Sequence, residues 1–244
     1  MDKVTYASDT PAVVPGAAMS VARYIFSATE NSDAGYFGGG LDYNVPSSYS
    51  TMDKVTYSSD TTAAVPGAAL SGVRYGVGAT SNSTAGYFGG GYTPGPGTVS
   101  TMEKTTYAAD TTAVVPGAAL NDPKAYLAAT GTSTHGYFGG GFIPGPNDIS
   151  TMEKVTYASD TTAAVPGAAL SLARRQLGAT GNSTAGYFGG GHPSPVSTMD
   201  KTSFASDTTE AVPGANLSLA RTGVAGSSAR ANALPSAPSL PAIV

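Results

Sequence analysis

Only two imidazoles occur in this 244-residue chain, His135 and His192, and their surroundings differ. Two imidazoles at unlike positions are too few for a histidine-built metal centre. Cysteine is absent, which removes thiolate nucleophiles, thiolate metal sites and disulfides together and leaves the redox compartment open. No Gly-x-Ser-x-Gly, no phosphate loop with its lysine and no His-Glu-x-x-His occurs. A carboxylate pair for glycoside hydrolysis is the remaining catalytic option, because acids from separate elements can meet at one mouth. Yet the acids recur in columns, as Asp9, Asp60, Asp110, Asp160 and Asp207 do. A column suggests a shared structural role, whereas a catalytic group is needed once. The expectation is a non-enzymatic chain with no cofactor.

Bases recur as well. Arg23, Arg74, Lys124, Arg174 and Arg221 form one column, and Lys3, Lys54, Lys104, Lys154 and Lys201 another. The first could ring a channel mouth and hold an anion. The structural alternative, which we favour, ties each base to the recurrent Asp of its unit, since Arg and carboxylate form strong paired hydrogen bonds. The lysine column lies next to an acidic one and reads as a solvated or cross-strand-paired face.

These columns belong to a repeat. Gly-Tyr-Phe-Gly-Gly-Gly stands at 35–40, 86–91, 136–141 and 186–191, and Met-Asp/Glu-Lys-x-Thr/Ser begins at Met1, Met52, Met102, Met152 and Met199. The first four Met residues each lie 34 positions before the next such glycine. A unit of about fifty residues is therefore written four times in full and once in part. Within the second unit, Thr51 to Tyr57 alternates as a strand does, and Ser58 to Thr62 reads as a turn. A short strand then stops at Pro66-Gly67, and a connection ends in Arg74. A strand of small residues follows, then a polar turn at Ser81 to Ala85, then the glycine phrase. Asn82-Ser83-Thr84 and Asn182-Ser183-Thr184 match the N-glycosylation pattern but fit a hairpin turn better. Four short strands per fifty residues, joined by hairpin-length turns, is the pattern of a propeller blade; a β-helix usually repeats over shorter periods.

The units resemble the kelch repeat over nearly the whole chain. Tyr87, Gly89 and Gly90 match its Tyr-x-x-Gly-Gly strand, Tyr107 its following strand end, and Lys124 its Arg before the next innermost strand. The equivalents are Tyr57 with Arg74, Tyr157 with Arg174, and Phe204 with Arg221. The kelch tryptophan has no counterpart, since the chain holds no Trp. The wording of both phrases also resembles repeat proteins of marine tailed phages, cyanophages especially, which are usually taken as virion or tail-associated components.

The resemblance implies an all-β fold, a five-bladed kelch-like β-propeller with four antiparallel strands per blade, a to d from the axis outward. In the second unit a is Arg74 to Thr80, b Gly86 to Gly90, c Thr101 to Ala108 and d Thr111 to Val115. One domain spans 1–235, with blades at about 20–68, 70–116, 120–166 and 170–213. The closing blade joins 217–235 to 1–16: the N-terminal strands c and d meet the C-terminal a (Arg221 to Ser227) and b (Ala229 to Leu234). Closure of this kind removes open sheet edges. Residues 236–244 read as a flexible Pro-rich tail. Five inner strands crowd a narrow axis, which suits Gly76, Gly78, Ala79, Ala128, Ala129, Gly178, Ala179 and Ala225.

The loops between b and c are unique in every unit: Leu41 to Ser50, Tyr92 to Ser100, Phe142 to Ser150 and His192 to Ser197. All should emerge on one face, and variable loops on a rigid scaffold are where recognition is usually placed. Tyr43, Tyr92, Phe142, Asn147, Asp148 and His192 are the candidate contacts. The expected partners are other virion proteins. A lectin-like adhesin binding host glycans is the alternative and a glycan-cleaving propeller a weaker one. A net charge of −4 with 11% charged residues offers no basic patch for nucleic acid. No run of eighteen apolar residues exists to enter a membrane, and the repeat starts at the first residue without a signal-peptide pattern. The expected location is the virion, or otherwise outside the cell.

Overall fold

The computed structural model describes residues 1–5, 8–44, 47–145 and 147–226. It is all-β. Among the described residues the only helical turns are five short Pro-Gly-Ala segments, such as Pro66–Ala68.

Four antiparallel four-stranded sheets follow one another. The first is built from Ser27–Glu30, Ala34–Gly38, Met52–Thr56 and Thr61–Ala64. The second uses Gly78–Ser81, Ala85–Gly89, Met102–Thr106 and Thr111–Val114. The third uses Ala128–Gly131, His135–Gly139, Met152–Thr156 and Thr161–Ala164. The fourth uses Gly178–Gly181, Ala185–Gly189, Met199–Ser203 and Thr208–Ala211. Each sheet keeps the chain order a, b, c, d, with Phe88 opposite Ala79 on one side and Glu103 on the other. The a strands of successive sheets pack on one another. Ahead of the first sheet, Asp2–Thr5 and Thr10–Val13 form a hairpin alone. Its Pro15–Ala17 turn meets strand d of the first sheet, as the later Pro-Gly-Ala turns meet theirs.

The core lies between sheets. Tyr36 of the first, Phe88 and Val77 of the second, and Met52, Leu70 and Tyr107 share one buried cluster. Tyr87, Phe138, Leu127 and Tyr157 repeat it one sheet on, and Tyr137, Phe188 and Leu177 one further. Adjacent strand residues point to opposite faces, so Tyr of the glycine phrase packs forward and Phe backward. Tyr36 stacks on Tyr107 with centroids 4.8 Å apart, and Tyr87 on Tyr157 at 4.6 Å. Phe88 sits where a Cβ on Gly38 would be, 3.1 Å away. The third glycine of the phrase has a different reason. Gly90 has φ +70°, and a Cβ there would stand 2.4 Å from the Lys124 carbonyl oxygen of the next unit.

Strand a is shorter than the sequence suggests. Regular pairing starts at Gly78, because Gly76 turns left-handed at φ +65° and its N–H leaves the sheet for the Ile25 carbonyl of the preceding unit. The same step recurs: Tyr126 N–H bonds Gly76, Gln176 N–H bonds Tyr126, and Gly223 N–H bonds Gln176. Ile25, Tyr126, Gln176 and Gly223 are left-handed too, at φ +53° to +66°. These bonds link five segments that border one cavity of about 590 Å³, lined by Gly76, Gly78, Ala79, Ala128, Ala129, Gly178, Ala179 and Ala225 among others, with large residues such as Tyr126 and Gln176 beside them. The thread is not circular: among the described residues no bond joins Ile25 N–H to Gly223. The expected closing strand b, Ala229 to Leu234, and the tail at 236–244 lie outside the described residues, as does Ser227 at the end of a.

Candidate functional site

Four of the five recurrent bases are buried, and their partners differ from those expected. Arg23 meets Asp53 at 2.8 Å, Arg74 meets Glu103 at 3.0 Å, Lys124 meets Glu153 at 2.7 Å and Arg174 meets Asp200 at 2.8 Å. The acid is the strand-c residue of the Met-Asp/Glu-Lys phrase, not the turn aspartate (Asp60 and its equivalents). The base precedes strand a and reaches across strand b of its own sheet, where Arg23 donates to Phe37 O at 2.9 Å and Arg174 to Phe188 O at 3.0 Å. Strand c is the next stop on that face. The acid also accepts from the connection before the base: Ser71 N–H reaches Glu103 at 3.0 Å and Asn121 N–H reaches Glu153 at 2.6 Å. Burial pulls the Arg23, Arg74 and Arg174 guanidinium pKa values down, and the facing carboxylates oppose it. A guanidinium so placed stays charged. These four bases tie sheets internally and leave no anion-binding ring.

The turn aspartates have another task. Four of the five hold the lysine of the preceding unit: Lys3 to Asp60 at 2.8 Å, Lys54 to Asp110 at 2.8 Å, Lys104 to Asp160 at 2.9 Å and Lys154 to Asp207 at 2.8 Å. The lysine column is thus paired across sheets rather than along a solvated face. Tyr36, Tyr87 and Tyr137 donate to Asp110, Asp160 and Asp207 at 2.5, 2.6 and 2.5 Å, and each lysine lies over the same tyrosine ring. The aspartates adopt φ +51° to +53°, a left-handed turn that Asp tolerates. Desolvation raises the Asp110 and Asp207 carboxyls, but the lysine and tyrosine bonds outweigh it and their pKa values fall below the ordinary one.

Both columns have one member left over at each end of the repeat. Arg221 is exposed, and among the described residues its side chain donates to the Leu219 carbonyl alone; Asp2, its counterpart of Asp53, is exposed as well. Lys201 and Asp9 have no ion-pair partner among the described residues.

The unique b–c loops share the end of the sheets opposite the a–b turns. Three fold as small hairpins, pairing Leu41 with Ser48, Tyr92 with Thr98 and Phe142 with Asp148. Each is bridged to the segment entering strand a: Tyr24 to Leu41, Tyr75 to Tyr92, Ala125 to Phe142 and Arg175 to His192. Tyr43 is 70% exposed and stacks on Tyr24 at 4.2 Å. Tyr92 packs against Tyr75 at 5.4 Å, and Tyr75 against Tyr126 at 6.0 Å. Tyr24 and Tyr126 also line the cavity bordered by the a strands, so this tyrosine group reaches it. Desolvation pushes the Tyr24 hydroxyl up to about 12.

The other half of the face is polar. Phe142, Asp148 and His192 come together there, as neighbours of a residue the sequence reading passed over, Arg175. Its guanidinium lies 5.2 Å over the Phe142 ring and meets Asp148 at 2.6 Å. Asn147 is exposed beside them and its N–H bonds Gly145 O. The signal for Arg175 was a charge where other units carry Tyr24, Tyr75 and Ala125. His135 is not part of the face. It opens strand b at the opposite end, with Nδ1 2.8 Å from the Thr134 hydroxyl, and burial lowers its pKa. Asn82 and Asn182 cap a–b turns there, each accepting two backbone N–H groups at 2.8–2.9 Å.

Compared with known proteins, the chain matches no family, and no curated protein is similar to it in sequence. No helix among the described residues is long and apolar enough to cross a membrane.

Proposed function

We propose that this chain is a five-bladed, kelch-like β-propeller that works as a non-enzymatic interaction module, with the b–c loops as its contact face. The observation that carries the reading is a division of labour. Nearly every repeated ionisable residue is spent in ties within or between sheets, whereas the residues that occur once gather at one end. A group required by the scaffold recurs in each unit; a group required by a partner need not.

Ring closure is supported by the leftovers. In four sheets the pre-a base meets the strand-c acid; the fifth such base is Arg221 and the fifth acid Asp2. Four Lys–Asp pairs link successive units, and the unspent members are Lys201 and Asp9. The axial thread lacks only a bond from Ile25 N–H to Gly223 O. One joint between the two ends completes all three series. Residues 217–235 would supply strands a (Arg221 to Ser227) and b (Ala229 to Leu234) of the fifth blade.

The wording of the repeat supports a virion or tail-associated role. That role is tested by absolute quantification of the chain in purified particles of the phage that encodes it. A constant copy number per particle is expected, and absence from particles overturns it. A second reading, a lectin-like adhesin, draws on the groove of about 430 Å³ between the first two sheets, lined by Asn31, Asp33, Tyr36, Lys54, Ser83 and Tyr107. Several of these types recur, so such grooves could act together with gain in avidity. Glycan-array binding abolished by Lys54→Ala supports it, and an empty array removes it.

A further inference from the structure

The repeat is its own control. Two sheets fold with Tyr24 and Tyr75 where the fourth has Arg175, and with Ser48 and Thr98 where the third has Asp148. His192 stands where the other loops open with Leu41, Tyr92 and Phe142. Blade packing therefore does not demand Arg175, Asp148 or His192, and yet the three converge. They line an open cleft of about 650 Å³ with Phe142, Gly145 and Pro193, between the loops of the third and fourth units.

The polar groups are held but not saturated. The Asp148 side chain is 9% exposed, and its Oδ1 takes the Arg175 bond at 2.6 Å. Its Oδ2 lies 4.0 Å from His192 Nδ1, too far for a hydrogen bond, and that nitrogen is buried without a partner. That nitrogen is closed off from solvent, whereas Asp148 Oδ2 takes no hydrogen bond among the described residues and is not closed off. A ligand group that gives a proton to the carboxylate suits it, and a hydroxyl does so. Arg175 keeps donors for an acceptor next to it, so two adjacent hydroxyls match the site better than one. The guanidinium is already neutralised by Asp148, which disfavours an anionic ligand. Gly145, Ala173 and Pro193 leave an uncharged wall for the C–H face of a ring.

We infer that this cleft binds a neutral saccharide, seating one hydroxyl on Asp148 Oδ2 and its neighbour on Arg175. The inference rests on the loop end being the contact face and names the chemistry of what is contacted. Pocket size agrees, since ligand clefts commonly span about 300–1,000 Å³.

The test is saturation-transfer NMR on the full chain with the methyl glycosides of glucose, galactose, mannose, N-acetylglucosamine and rhamnose. At least one should show transfer, weakened tenfold or more by Asp148→Asn and by Arg175→Ala. Thr111→Ala, exposed on strand d of the second sheet, should leave it unchanged. Melting curves of all variants separate lost binding from lost fold. No transfer from any of the five glycosides overturns the inference, as does equal transfer in wild type and Asp148→Asn. The interaction reading fails separately: a photo-crosslinker at Tyr43 that captures no neighbour in assembled particles, while glycoside transfer persists, counts against that reading and not against the cleft.

Discussion

Arg221→Asp is the perturbation that separates a closed ring from an open row of sheets. In the four complete sheets the equivalent ion pair spans 2.7–3.0 Å, and its side chains are at most 3% exposed. Breaking one partner of such a buried pair costs about 3–5 kcal/mol, because the other charge is left stranded. If Arg221 meets Asp2 in the same setting, Arg221→Asp should cost that much. For a chain of this size the melting temperature should drop by roughly 6–20 °C. If both residues stay at the surface, as separate ends leave them, the change should be about 0–1 kcal/mol. The assay is urea unfolding followed by tyrosine fluorescence, which no tryptophan overlays. Asp2→Arg is measured alone and combined with Arg221→Asp. Closure predicts that the double variant recovers a large part of the loss, with a coupling above about 1 kcal/mol. Independent, additive single effects would refute the reasoning.

Three further outcomes follow from the ties between sheets. Arg174→Met should cost about 3–5 kcal/mol by stranding Asp200, whereas Arg174→Met with Asp200→Leu should recover most of it, read from the same unfolding curves. Gly90→Ala should cost at least about 2 kcal/mol, since it combines a left-handed backbone with a clash on the Lys124 carbonyl, while Gly72→Ala, which meets nothing within 4 Å, should stay within about 0.5 kcal/mol. Burial, and then the bond to aspartate, raise the Tyr87 and Tyr137 pKa values above the ordinary 10. The unfolded chain therefore loses these protons first as pH rises, and stability present below pH 10 is lost above it. The slope approaches about 1.4 kcal/mol per pH unit for each such tyrosine. Absorbance at 295 nm should show tyrosinate appearing together with unfolding; smooth titration of a folded chain would contradict this.

Much of the fold was legible because the repeat compares each position with itself. Alternation and turn residues placed strands b, c and d within about two residues. The ion pairs were not legible. Two acidic and two basic columns share one period, so spacing cannot say which meets which; that depends on how the base crosses strand b to reach strand c. The left-handed turns of Ile25, Tyr126 and Gln176 were hidden because those residue types do not advertise positive φ. Only Gly76 and Gly223 did. Arg175 was overlooked because it follows Arg174 and was absorbed into the recurrent base. At the loop end, Phe142, Asp148 and His192 were found by being unique, a criterion that the structure then extends to their neighbour.

The most direct measurement uses the absence of cysteine, which lets two spin labels be placed freely. Labels at Thr61 and Thr111 report the spacing of strand d between adjacent sheets, and labels at Thr10 and Thr208 report the same spacing across the proposed joint. All four positions are exposed. Double electron–electron resonance should give the same narrow distance for both pairs if the ends meet in a fifth blade. A distance across the joint that is longer and broad, with the internal pair narrow, would contradict closure and the single contact face that depends on it.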